Sequence, residues 1–118
     1  MSLSHAGLIA QFEQLAWDRG LYVHCCGDGR RCEGPGLPDL IIAGPRGVIF
    51  REVKSAAAPA LRDDQKAWLR MLGLGKRGDL PPVARVWRQD DLDSRDAERE
   101  LDRLRDDWLT PPKTIRAR

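Results

Sequence analysis

Three observations predict an α/β fold. Apolar residues recur at helical spacing in three segments, one near each end of the chain and one in the middle. Four short apolar runs of strand length lie between those segments. Gly- and Pro-rich stretches punctuate the joints. The resulting order is αβββαβα.

A first helix is predicted from about Ser4 to Arg19, with Leu8, Phe12, Leu15 and Ala16 as its apolar stripe. Ser4 is suited to cap it and Gly20 to end it. Leu21 to Cys25 follows as a short strand. Gly27 to Gly36 reads as a loop carrying Asp28, Arg30, Arg31 and Glu33. Leu40–Ala43 and Val48–Val53 are strands around a Gly44-Pro45-Arg46-Gly47 turn. Pro45 suits the first central position of that turn, although hairpins more often use primed turns. A second helix is predicted from about Asp63, as its cap, to Leu72, with Gln65, Trp68, Leu69 and Leu72 on one face. Gly73 to Pro82 is a loop and Val83–Trp87 a strand. Asp93 or Ser94 is placed to cap the last helix, whose stripe is Ala97, Leu101, Leu104 and Trp108. One domain, residues 1–109, is expected, followed by a basic tail, 110–118, that frays.

Composition narrows the function classes. The 118 residues are 42% hydrophobic and 32% charged, ordinary for a globular domain. No apolar run reaches the roughly 18–20 residues of a membrane span. No basic region precedes an apolar block near Met1, so no secretory signal is expected and the cytoplasm of a bacterial cell or phage-infected host is the expected location. Cys25, Cys26 and Cys32 are odd in number and clustered, which disfavours a disulfide framework. With His24 they match no familiar zinc spacing, because adjacent strand residues point to opposite faces. A net charge of +2 permits a nucleic-acid partner without requiring one.

The hairpin carries the chemistry. If Ala43 pairs with Val48, then Ile42 faces Ile49, Ile41 faces Phe50 and Asp39 faces Glu52. Two carboxylates directly opposite destabilise a strand pair unless a cation sits between them. Period-two alternation adds Lys54 to the face of Glu52, and the Val53 carbonyl lies at the strand edge. Two carboxylates and a carbonyl oxygen are hard ligands suited to Mg²⁺ or Mn²⁺. A plain salt bridge at a hairpin end is the competing reading. Gln65 weighs against it: an amide on an apolar helix face needs a partner, and a metal-bound water or a phosphate would serve.

Pro38-Asp39 followed after twelve residues by Glu52-Val53-Lys54 resembles the PD-(D/E)XK nuclease superfamily. Arg30-Arg31, Gly36-Leu37-Pro38-Asp39-Leu40, Phe50-Arg51-Glu52-Val53-Lys54, Leu61 with Gln65, and Val86-Trp87-Arg88 together resemble its VRR-NUC branch, from about residue 5 to 105. The resemblance implies a restriction-endonuclease-like αβββαβ core with a central mixed sheet flanked by helices and an extra C-terminal helix. It implies a metal-dependent endonuclease on DNA, selective for branched or junction structures such as a Holliday junction, acting as a homodimer. Carried over by position, Asp39, Glu52 and the Val53 carbonyl ligate the metal, Lys54 is catalytic and Gln65 supports the site. Such families usually place an acid near the start of the first helix. Here His5 holds that position and Glu13 has that chemistry, and the sequence leaves the choice open.

Around this centre Arg30 and Arg31 are candidate phosphate contacts, as are Arg88 after the last strand and His24 at a strand end. Lys76 and Arg77 are weaker candidates. The tryptophans are expected in the core or a dimer interface. The rival function is a non-catalytic module of the same fold that binds nucleic acid or a partner protein.

Overall fold

The computed structural model describes residues 2–25, 36–75 and 77–105. Arg30, Arg31, Cys26, Cys32, Lys76, Trp108 and the 110–118 tail lie outside them. Helix α1 spans His5–Asp18 and strand β1 Tyr22–Cys25. Strands β2 and β3 span Leu40–Gly44 and Gly47–Val53. Helix α2 spans Asp63–Leu72 and strand β4 Ala84–Trp87. Helices α3 and α4 span Gln89–Asp93 and Asp96–Leu104.

The four strands form one mixed sheet in the order β1-β2-β3-β4. β1, β2 and β3 run antiparallel, and α2 carries the chain across to β4, which lies parallel to β3. The predicted register holds: Ala43 pairs with Val48, Ile42 with Ile49 and Ile41 with Phe50. Neither Pro45 nor Arg46 has positive φ, so the turn is unprimed, and Gly47 at φ 141° absorbs the mismatch of twist.

Alternation sorts the sheet into two faces. Leu40 and Ile42 of β2 and Ile49 and Val53 of β3 face α1 and α4, where they meet Leu8, Phe12, Ala16, Leu101 and Leu104. Trp87 of β4 closes this core and lies 4.7 Å from Phe12, ring centroid to centroid. Arg51, between Ile49 and Val53 on the same face, is wholly buried. Helix α2 lies on the other face, burying Gln65 and Leu69.

Three local expectations need correction. Arg62, not Asp63, occupies the cap position of α2. The Gln65 Oε1 accepts the Arg62 N–H at 2.9 Å, and Asp63 becomes the first helical residue. Trp68 is 37% exposed, although it was expected on the buried stripe with Leu69. The last helix is preceded by the five-residue α3, too short for apolar periodicity to reveal. α3 starts because Asp91 accepts the Arg88 N–H at 2.8 Å. Arg95, at φ 67°, then turns the chain into α4.

Candidate active site

The Asp39 and Glu52 carboxylates meet beyond the last rung of the β2–β3 ladder, which is Leu40 with Arg51. What stops the ladder is Pro38. Phe50 and Lys54 send their N–H groups to β4, to the Val83 and Trp87 carbonyls. Odd residues of β3 therefore turn their backbone groups toward β2. Extending the register puts Pro38 opposite Val53, and proline has no N–H to offer the Val53 carbonyl. The Val53 N–H donates instead to Asp39 Oδ2 at 2.9 Å. One proline thus ends the strand pairing, orients Asp39 and leaves a carbonyl oxygen at the site.

The side chains of the predicted centre come from the end of β3, the residue before β2, and helices α1 and α2. Glu52, 3% exposed, projects from β3 toward α2. Gln65 Nε2 donates to Glu52 Oε2 at 3.0 Å. The same amide accepts the Arg62 N–H, so both ends of Gln65 are committed and it cannot rotate freely. Lys54 Nζ lies 3.7 Å from Glu52 Oε2. His5 Nε2, from the first residue of α1, lies 3.2 Å from Asp39 Oδ2. Burial first, and then the neighbouring Asp39 charge, push the Glu52 carboxyl up to about 8, with Lys54 pulling the other way. One ammonium does not offset two carboxylates, and the pocket favours additional positive charge.

The first-helix choice goes to position. His5 reaches Asp39, whereas Glu13 stands about 12 Å farther along the helix axis, eight residues at 1.5 Å each. His24 pairs with Ile41 across β1–β2, so its side chain lies on the face of Asp39 and Glu52. Arg88 lies on an open cleft of about 380 Å³ that Lys54, Ser55, Pro59, Asp90 and Asp93 also line. Its Nη1 donates to the Pro59 carbonyl at 2.8 Å. Cys25 packs against the core.

Sequence reasoning missed two positioning residues, one on each face of the sheet. Gly36, at φ 87°, brings the loop before Asp39 against α2: an added Cβ would stand 2.6 Å from the Asp64 backbone. The sequence marks Gly36 only as the start of the Gly36-Leu37-Pro38-Asp39-Leu40 stretch and gives no structural reason for a glycine there. The second is Glu100, which clamps Arg51 from α4. Its signal was available, because a cation sharing a face with Ile49 and Val53 requires an acid.

The donor chemistry fits a divalent cation. Among the described residues no three His, Cys, Asp and Glu side chains form a ready metal cage. Magnesium-type sites need none, since one or two carboxylates suffice and water and phosphate complete the shell. Asp39, Glu52 and the Val53 carbonyl are such a set. Among the described residues no helix is long and apolar enough to cross a membrane. No family model, curated protein or solved structure matches the chain.

Proposed function

We propose that this chain is a Mg²⁺- or Mn²⁺-dependent nuclease that hydrolyses phosphodiester bonds of DNA, with a restriction-endonuclease-like core of the VRR-NUC kind. The observation that carries the reading is the meeting of Asp39 and Glu52 at the end of the hairpin, with Lys54 Nζ 3.7 Å from one acid and Gln65 fixing it from α2. Two acids are buried together at a cost in stability that a structural salt bridge would not require.

In this reading Asp39, Glu52 and the Val53 carbonyl hold the cation. When bound, it supplies Lewis acidity to a phosphate oxygen and a more acidic water. Lys54 orients the attacking water and balances the charge that builds on the phosphoryl oxygens. Gln65 keeps Glu52 in one rotamer. Arg88, beside the cleft, and His24, on the same sheet face, contact the flanking phosphates, as do Arg30 and Arg31. Water attacks directly, so no covalent enzyme intermediate forms.

Selectivity for branched or junction DNA and a homodimeric assembly complete the proposal. Met71 and Leu74, 86% and 54% exposed beyond Trp68 at the end of α2, provide apolar surface for a second copy. The test is cleavage of branched and linear duplexes in Mg²⁺, Mn²⁺ or EDTA by wild type, Asp39→Ala and Lys54→Ala. Metal-dependent cutting of branched DNA, reduced about 10³-fold or more in both variants, is the expected result. Binding without cutting in every metal would make the chain a non-catalytic module. Equal cutting by wild type and variants would overturn the assignment.

A further inference from the structure

We infer that Arg62 grips the scissile phosphate, with the open end of its guanidinium donating to the non-bridging oxygens. The inference rests on the nuclease reading above and adds a substrate contact to it.

Two contacts bring Arg62 to the acid pair. Its N–H donates to Gln65 Oε1 at 2.9 Å, and the other end of that amide donates to Glu52 Oε2 at 3.0 Å. One side chain thus links the Arg62 backbone to the acid. Gly36, in the stretch that leads to Asp39, packs against the Asp64 and Gln65 backbone. The first turn of α2 is therefore pressed against the loop that delivers the second acid. The Arg62 charge also acts on Glu52: burial and then Asp39 raise that carboxyl, and Lys54 and Arg62 oppose them.

Lys54 and Arg62 differ in what they offer a substrate. Lys54 is 11% exposed and its ammonium lies against Glu52. Arg62 is 63% exposed, so a phosphodiester arriving from solvent meets it first. Its Nε donates to Asp64 Oδ1 at 3.2 Å, and the Gln65 N–H pins the same oxygen at 2.8 Å. Among the described residues, neither Nη group of Arg62 has a hydrogen-bond partner. Arg46 is the contrast, because it spends both Nη groups on Asp79, at 3.3 and 3.1 Å. A guanidinium anchored at Nε keeps its Nη pair for a phosphate. The competing role is a surface ion pair with Asp64 that holds nothing else.

Methylphosphonate substitution separates the two roles, because it removes the charge from one chosen phosphate. The cut is first mapped on a branched duplex in Mn²⁺. The same duplex is then made with a methylphosphonate at the cut phosphate. Binding of both duplexes is measured in EDTA, where no cation bridges protein and DNA. The neutral linkage should cost wild type about tenfold in affinity and Arg62→Ala less than about twofold. Arg62→Lys keeps the charge and loses the fork, so its loss should fall between the two. On the native duplex in Mn²⁺, kcat/KM of Arg62→Ala should fall about tenfold or more. The substitution spares the cap of α2, which uses only the Arg62 backbone N–H, and a circular dichroism melt checks the fold. Arg62→Gln repeats the comparison with the stem retained. Equal losses in wild type and Arg62→Ala at the cut phosphate would overturn the role of Arg62 and leave the nuclease reading standing. Absence of metal-dependent cutting by wild type would overturn the nuclease reading, and the Arg62 assignment with it.

Discussion

Arg51 and Glu52 are neighbours on β3, and both are buried, at 0% and 3% exposure, yet they face opposite sides of the sheet into opposite environments. On the core side, Arg51 donates from Nε and Nη2 to Glu100 Oε1 at 3.2 and 3.1 Å, and from Nη1 to the Phe50 carbonyl at 2.8 Å. Its guanidinium lies 5.2 Å over the Trp87 ring, and the Trp87 indole N–H donates to the same Glu100 oxygen at 2.7 Å. Arg85 takes the other Glu100 oxygen and also pairs with Asp91. Two cations meet two anions, and the donors are spent. Burial pulls Arg51 down to about 10, with Glu100 holding it up, so it stays charged at neutral pH. On the α2 side two acids face one ammonium. A saturated buried cluster ties elements together. An unsaturated one, short of positive charge, is instead where an added cation would be most favourable.

If that contrast holds, the two clusters will respond oppositely to losing an acid. Glu100→Ala leaves Arg51 buried and uncompensated, and should destabilise the chain by about 3–5 kcal/mol in urea melts. Removing both charges together, as Arg51→Met with Glu100→Leu, should recover most of that loss, since a well-packed apolar pair can replace a buried ion pair. If Glu100→Ala costs less than about 1 kcal/mol, the core-side network is ornamental and the comparison fails.

The next effect is a pH dependence confined to the α2 side. Glu52 titrates near 8 in the folded chain and near 4.5 as an isolated group. The folded state therefore holds more protons than the unfolded state between those values. Stability should fall as pH rises from about 4.5 to 8, by at most about 1.4 kcal/mol per unit. Glu52→Gln should flatten this slope, and so should saturating Mn²⁺, which offsets the repulsion. Urea midpoints at four pH values, with and without the ion, measure it. An unchanged slope in Glu52→Gln would place the effect elsewhere.

How much of this was legible in the sequence follows the same division. The hairpin register could be read because only one pairing buries Leu40, Ile42, Ile49 and Val53 together, and a slip would turn them all outward. That register brings Asp39 toward Glu52 before any coordinate is known. Gln65 was legible because an amide among apolar residues has to be satisfied. The choice of His5 over Glu13 was not legible, because helix periodicity fixes a row of residues and not the point on it that meets a neighbouring sheet. The role of Gly36 was illegible for a different reason: close backbone approach is a tertiary fact with no local pattern. Arg62 in the cap of α2 defeated expectation because Gln65, a side chain chosen for the site, also supplies the cap acceptor.

Gly36→Ala tests whether the α2 side depends on that approach. Its positive φ alone should cost about 1–3 kcal/mol, and the Cβ contact with the Asp64 backbone forces the loop away from α2. Because the same loop leads into Asp39, the variant should also lose affinity for Mn²⁺. Loss of stability with unchanged Mn²⁺ affinity would show that the β-hairpin, and not the loop, sets the acid pair.

The smallest effect concerns where the unsaturated side ends. Arg88 lines the cleft with Lys54, whereas Arg46 lies at the opposite end of the hairpin and is held by Asp79 at 3.1 Å. Both are exposed arginines, and by charge alone they are equivalent. If the cleft carries the DNA backbone, Arg88→Ala should lower the slope of log affinity against log salt by about 0.9, the release of one counterion, and weaken binding alike across sequences. Arg46→Ala should leave that slope unchanged, because its charge is already neutralised by Asp79 and lies a strand's length from the acids. Titrations of a labelled junction from 50 to 200 mM salt resolve a change of this size. Equal slopes in the two variants would mean that DNA reads the general basicity of the surface and that the cleft has no special claim on the phosphate backbone.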